Sequence, residues 1–250
     1  MMNFQTYSWS ASTIGPYHIT EGLPNQDACV IHPLPKYNCI VYVVGDGMGS
    51  CTNADIGSNT LCKAVIKTFE CIERSAIELS EGSRIPLNPC GVCHFIYYFW
   101  RKFLGTVPPE TARTTALIVI EYETELLFIQ VGDGLILALD LEHQHPIFCT
   151  SNTFKPFSNT TVAVDEDFVP SNWVFQKTPK PERFILMMCT DGIADDLIEG
   201  EEHKFLENLF TVSQKTSPEE CSQMMLTTLQ NWTTPQHHDD KTIIFAGHWQ

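Results

Sequence analysis

The chain has 250 residues, 43% of them apolar and 18% charged, a composition that suits a single globular domain over residues 1–250. Its 15 Lys and Arg stand against 30 Asp and Glu, a formal charge of −15 without a long basic run, which repels phosphate backbones and anionic headgroups and argues against nucleic-acid and membrane-surface binding. No stretch is apolar for long enough to span a bilayer, Met1-Met2-Asn3-Phe4-Gln5-Thr6 has no basic segment leading into an apolar run, and the ten cysteines sit singly in apolar stretches; a soluble protein in the reducing cytoplasm is expected.

In chain order, Cys39 to Val44 is a short apolar run rich in β-formers, a buried strand that ends in Gly45-Asp46-Gly47. Beyond Asn53, residues Leu61, Ala64, Val65, Phe69 and Ile72 fall at i, i+3, i+4, i+8 and i+11, one stripe of an amphipathic helix. Cys90-Gly-Val-Cys93-His94 matches the pattern that attaches c-type haem and holds the CxxC of dithiol redox sites. Neither an export signal nor a βαβ context accompanies it, so it reads as the start of a buried helix with the stripe Val92, Phe95, Ile96, Phe99 and Phe103. Thr114 to Ile120 and Leu126 to Val131, joined by Glu121-Tyr-Glu-Thr-Glu125, form a hairpin, and Gly132-Asp133-Gly134 interrupts the chain before a strand from Leu135 to Leu139.

Residues 142–180 carry Pro146, Pro156, Pro170 and Pro179 and are expected to be mostly loop, with short strands at Thr160 to Val164 and Trp173 to Gln176. Phe184 to Cys189 is a second buried strand and runs into Asp191-Gly192. Ser217-Pro-Glu-Glu220 is a capping box with proline at the first helical position, followed by the stripe Cys221, Met224, Met225, Leu229 and Trp232. A last strand, Thr242 to Ala246, follows His237-His238-Asp239-Asp240-Lys241. All three helical stripes are read as core.

Asp27, Asp46, Asp133, Asp191 and Asp239 each sit at the edge of an apolar strand, and three of them are followed directly by glycine. Glycine there permits a tight turn and close backbone approach, so that a carboxylate or a neighbouring carbonyl can reach a shared cation. Asp-Gly is also common turn chemistry. If the strand ends converge, however, the carboxylates repel one another unless divalent ions lie between them. His237 and His238 read as solvated loop, as does Asp165-Glu-Asp167, and Arg113 as a balance for local acid.

The order Asn25-Gln26-Asp27, Val44-Gly-Asp-Gly-Met-Gly49, Thr114-Thr115 with Val131-Gly-Asp-Gly134, Cys189-Thr-Asp-Gly-Ile-Ala-Asp195 and Asp239-Asp-Lys-Thr242 resembles the protein phosphatase 2C family of metal-dependent Ser/Thr phosphatases, in its bacterial form. The resemblance spans about residues 8 to 246. It implies an α+β fold, an α-β-β-α sandwich of two antiparallel sheets flanked by helices, with two Mn2+ or Mg2+ ions in a cleft at one end of the sheets. Matched position by position, Asp46 corresponds to the carboxylate bridging both metals and Gly47 to the residue lending a backbone carbonyl. Asp191 and Asp239 correspond to the remaining ligands, and Asp27 to a carboxylate that holds metal-bound water. Asp133 and Asp195 match positions that in bacterial members hold a third, weaker metal.

The implied reaction is hydrolysis of phosphoserine and phosphothreonine on proteins by attack of a metal-bridging hydroxide. The implied partners are a phosphorylated protein substrate and a cognate Ser/Thr kinase in a signalling pathway. Three positions depart from the family pattern. Gln26 stands where Glu is common. His18 is the substitute for a phosphate-gripping Arg that is absent from His18-Ile-Thr-Glu-Gly-Leu-Pro24. Met48 follows Asp46-Gly47 where eukaryotic members often carry His. The alternative is a pseudophosphatase that binds phosphorylated partners with little or no turnover.

Overall fold

The computed structural model describes residues 6–79, 88–150, 162–232 and 238–249. Two antiparallel five-stranded sheets pack face to face with helices outside each. One sheet has the order β1-β10-β9-β6-β7, built from β1 Tyr7–Thr13, β10 Lys241–His248, β9 Phe184–Cys189, β6 Leu135–Asp140 and β7 His145–Cys149. The other has the order β2-β3-β4-β5-β8, from β2 Asp27–Leu34, β3 Cys39–Asp46, β4 Ala116–Glu121, β5 Glu125–Val131 and β8 Val174–Pro179. The helices are α1 Pro16–Glu21, α2 Ala54–Leu79, α3 Pro89–Leu104, α4 Asp191–Ala194, α5 Glu202–Ser213 and α6 Pro218–Gln230.

The continuous apolar runs follow from burial of both sheet faces. Along β3, Val41 and Val43 face α2 and α3, whereas Tyr42 and Val44 face the opposite sheet. Along β9, Ile185, Met187 and Cys189 pack with Leu206 and Leu209 of α5 and Cys221, Met225 and Leu229 of α6, while Phe184, Leu186 and Met188 enter the layer between the sheets. A strand with period two and apolar partners on both sides has no place for polar residues. Between the sheets, Phe128 of β5 stacks on Phe148 of β7 with ring centroids 4.3 Å apart.

The helices carry the expected capping chemistry. Asn88 accepts from Gly91 N at the head of α3, and Ser217 and Glu220 make both halves of a capping box at the head of α6, with Pro218 in the first turn. The α3 stripe is displaced from its expected position. Phe95 and Phe103 are 53% and 41% exposed, and the buried face is Val92, Cys93, Ile96, Trp100 and Leu104. This helix has apolar residues around most of its circumference, so α2 decides which face is covered. Trp100 fills that contact, its indole N–H donating to Gly57 O of α2 at 3.1 Å. Met224 of α6 is likewise exposed.

The loop-rich reading of 142–180 holds in part. Thr160 and Thr161 of the expected strand lie outside the described residues, and Val164 makes a single bridge with Thr114. The second expected strand is β8. A further strand, β7, has no sequence signature because only Phe148 in it is buried and Pro146 interrupts its pattern, which an edge strand tolerates.

Truncating Phe128 to alanine removes a fully buried ring and its stacking partner's contact. Urea unfolding of Phe128→Ala is expected to show a loss of about 3–5 kcal/mol with an unchanged denaturant slope.

Candidate metal centre

The register of β2 against β3 sets Asp27 directly opposite Asp46, which places the two carboxylates side by side at one end of the second sheet. The backbone of Asp46 is locked. Its carbonyl accepts from Thr115 N at 2.8 Å and Thr114 Oγ1 at 2.9 Å, and its N–H donates to Thr115 Oγ1 at 3.1 Å. The first sheet delivers its own carboxylates to the same place. β9 ends at Cys189, Thr190 leads into α4, whose first residue is Asp191, and Asp239 lies just ahead of β10, which pairs with β9. Thr190 joins the two sheets: its hydroxyl donates to Asp27 Oδ2 at 2.9 Å and accepts from Thr242 N at 3.1 Å.

Close approach explains two of the glycines. A Cβ on Gly47 would lie 2.5 Å from Ala54 O and 2.8 Å from Gln26 O, and one on Gly192 would lie 2.1 Å from Asp240 O. Larger residues at either position would push apart the segments that carry the carboxylates.

The electrostatics are those of acids forced together. Burial pushes Asp46 well above the usual carboxylate range, and the charges of Asp27, Asp191 and Asp239 add to it. Asp27 is raised by burial and then by Asp240. Burial together with the charges of Asp133, Asp239 and Asp195 pushes Asp191 up to about 6, against the opposing hydrogen bond from Asp46. Asp191 Oδ1 and Gln26 Oε1 are buried and have no hydrogen-bond partner among the described residues. Orphaned oxygens beside mutually repelling carboxylates are the donor set a hard divalent cation satisfies, so Asp46, Gly47, Asp191 and Asp239 fit metal ions.

The remaining candidates fall around this centre. Asp195 is exposed, and its N–H donates to Asp191 O at 2.9 Å, which puts the two carboxylates one helical turn apart. It closes α4 and is well separated from the start of α5, so it does not cap that helix. Asp133 is partly buried between β5 and β6. His18 is buried at 3% exposure on α1, its Nδ1 2.9 Å from Asp240 Oδ2 but out of line for a hydrogen bond. The ligand atoms of His18, Asp239 and Asp240 lie within 4.8 Å of one another. His237 lies outside the described residues, and His238 is exposed and gives its carbonyl to Tyr17 N. Arg113 pairs with Asp165 at 3.3 Å, and its carbonyl accepts from Met48 N.

Two residues with structural roles here had no distinguishing signal in the sequence. Asp240 is 2% exposed and accepts from Gly15 N at 2.7 Å and Gln26 N at 2.6 Å, tying α1 and β2 to the head of β10. Thr190 is the inter-sheet bridge described above. The Cys90 and Cys93 pair opens α3: Cys93 is buried with its thiol pushed up to about 12, and His94 stacks on Phe168 with centroids 4.9 Å apart. A thiol so raised is a poor nucleophile, and the segment serves as a helix start.

The raised Asp191 has a consequence for the metal-free chain. A carboxyl whose folded pKa of about 6 exceeds its ordinary value of 3.8 binds its proton more tightly folded than unfolded. The fold is therefore favoured at low pH and loses that contribution as pH rises through about 6. In EDTA, Asp191→Asn should raise the thermal midpoint at pH near 7.5, by about 2–4 °C for each kcal/mol of repulsion relieved, and the difference should shrink toward pH 4.

A family model described as protein phosphatase 2C matches residues 14–232. A search of curated proteins finds no relative. Among solved structures, the catalytic domain of the serine threonine protein phosphatase PstP in complex with two manganese ions superposes with a TM-score of 0.64 at 14% identity, over 98% of this chain and 99% of that one. RsbX in complex with magnesium gives 0.62 at 14% identity over 99% and 97%. PppA, a key regulatory component of T6SS in Pseudomonas aeruginosa, gives 0.61 at 16% identity over 96% of each chain. At these identities the likeness is one of fold, and it agrees with the two-sheet sandwich and the flanking helices. Because the family match extends from the loop before α1 through α6, this chain belongs to the protein phosphatase 2C family.

Proposed function

We propose that the protein is a Mn2+- or Mg2+-dependent phosphatase that hydrolyses phosphoserine and phosphothreonine on proteins. The observation that carries this reading is the meeting of Asp27, Asp46, Asp191 and Asp239 at one end of the two sheets, with Asp191 Oδ1 buried and unpartnered. Asp46, Asp191 and Asp239 would hold two ions with the help of the Gly47 carbonyl. Asp133 and Asp195 would hold a third more loosely. Divalent ions there supply charge neutralisation for a phosphoryl group and lower the pKa of water.

The chain's own residues set the geometry. Thr190 fixes the Asp27 carboxylate. Gln26 is held by its backbone, its N–H on Asp240 and its carbonyl accepting from Ser58 Oγ at 2.6 Å, which leaves the amide side chain to orient a neighbouring water. A neutral amide adds less charge than Glu would, so an ion held next to Gln26 would bind more weakly. His18, next to Asp239 and Asp240, is the chain's candidate to meet the phosphate. Met48 has no proton to give, so the leaving serine or threonine oxygen must take its proton from water or another group.

The same reading implies a phosphorylated protein substrate, a cognate Ser/Thr kinase and a place in cytoplasmic signalling. The alternative is a pseudophosphatase that binds phosphorylated partners with little or no turnover; the presence of all three of Asp46, Asp191 and Asp239 supports the enzyme.

Phosphate release from p-nitrophenyl phosphate and a phosphothreonine peptide should stop in EDTA and return with Mn2+; full activity in EDTA would overturn the proposal. Asp46→Asn or Asp239→Asn should lower turnover by about a hundredfold or more while leaving the circular dichroism spectrum intact. Asp133→Ala or Asp195→Ala should slow the phosphopeptide more than the activated ester, which has a better leaving group, and should shift the Mn2+ titration to higher concentration. Equal losses on both substrates would remove the leaving-group role.

A further inference from the structure

A second cluster of ligating groups lies at the other end of β6, at the turn into β7. We propose that Asp140, His143 and His145 form a site for one imidazole-preferring divalent transition metal of the Zn2+ class, separate from the carboxylate centre. Asp140 is the last residue of β6 and His145 the first of β7, and they are direct cross-strand partners, so their side chains stand on the same face of the hairpin. Asp140 is 6% exposed and held firmly: its Oδ1 accepts from Glu142 N at 2.8 Å and His143 N at 3.1 Å. Its Oδ2 lies 2.8 Å from His143 Nδ1. Gln144, at a φ of 51°, turns the chain between the two histidines, whose rings meet edge to face with centroids 5.8 Å apart.

The ligand atoms of the three residues lie within 4.8 Å of one another. Metal bonds of about 2.0–2.2 Å ask for a contraction of only a fraction of that separation. Both histidines are exposed and can supply it by small ring rotations, while the buried aspartate gives a fixed reference point. The Asp140 Oδ2 and His143 Nδ1 that pair at 2.8 Å would part slightly to take the ion between them, while the two backbone N–H groups keep Oδ1 in place.

Donor chemistry separates the two sites. Two imidazoles and one carboxylate suit Zn2+, Co2+, Ni2+ or Cu2+, whereas the centre at Asp46 is dominated by carboxylate oxygens, with the single imidazole of His18 beside Asp239, and suits Mg2+ or Mn2+. The length of β6, Leu135–Asp140, places the turn roughly 17 Å from the Asp133 end of the strand. Access is open from two sides. The histidines face solvent, and Asp140 also lines a cavity of about 560 Å³ together with Arg183, His203 and Glu207. The proposal stands on this hairpin and does not depend on the reading of the carboxylate centre.

The test uses the full chain with the carboxylate centre saturated by Mg2+. Zn2+ binding followed by calorimetry should fall about tenfold or more in the doubly substituted His143→Ala, His145→Ala chain and be unchanged in Asp191→Asn. Cu2+ added to the unsubstituted chain should give an electron paramagnetic resonance spectrum with coupling to two imidazole nitrogens. The substitutions lie on an exposed turn, and the spectrum of the unsubstituted chain remains decisive whether or not the variant folds. Equal Zn2+ affinity in the parent and the double variant would overturn the proposal. So would a Cu2+ spectrum without nitrogen coupling, or Zn2+ binding that is lost in Asp191→Asn.

Discussion

Like charges held together against their repulsion are the constraint around which the active end of this molecule is organised. Asp27, Asp46, Asp191 and Asp239 come from both sheets, and each raises the proton affinity of another or has its own raised. Water would disperse such a group if the segments carrying it were free to move. They are not free: β2, β3, β9 and β10 have apolar neighbours on both faces along much of their length, and the inter-sheet layer fixes one sheet against the other. The hydrophobic interior thus supplies the stiffness that the charged end requires.

Within that frame, buried polar groups do the fine positioning. Thr190 reaches from one sheet to the Asp27 carboxylate of the other, so a single hydroxyl reports any relative shift of the two layers. Asp240 is the buried counterpart of the exposed Asp239 beside it. One residue faces the open side of the centre while the next collects backbone N–H groups from Gly15 and Gln26 beneath it. Adjacent residues of the same type therefore do different work, Asp239 at the exposed face of the centre and Asp240 as the buried acceptor that ties the segments beneath it.

This division explains what could be read from the sequence. β3 and β9 were legible because burial on two faces leaves an uninterrupted apolar run, and Asp46 and Asp191 were legible because each lies beside such a run. β1, Tyr7-Ser-Trp-Ser-Ala-Ser-Thr13, buries only Trp9 and Ala11 against α6 and its neighbours, and its short polar alternation carries too little apolar signal to be noticed. β2 is half-buried and broken by His32 and Pro33. In α3 the apolar positions outnumber those that one face can cover, so periodicity alone misplaced Phe95 and Phe103. Asp240 and Thr190 were beyond reach for another reason: their roles depend on which strand lies alongside, and no local spacing encodes that.

Among the described residues the sheets end in four border strands, β1, β7, β2 and β8, an arrangement whose outer peptide groups could recruit a strand from another molecule. Three of these borders carry a proline, Pro33 in β2, Pro146 in β7 and Pro179 in β8, each removing a donor from the ladder a newcomer would need. The fourth is closed differently, with Ser222 of α6 donating its hydroxyl to the Ser10 carbonyl of β1 at 2.5 Å. Each border of a chain so rich in buried strand thus carries a feature that disfavours a further strand adding along its rim. These features are covalent or hydrogen-bonded and act locally, independently of the repulsion that the chain's net negative charge supplies at neutral pH.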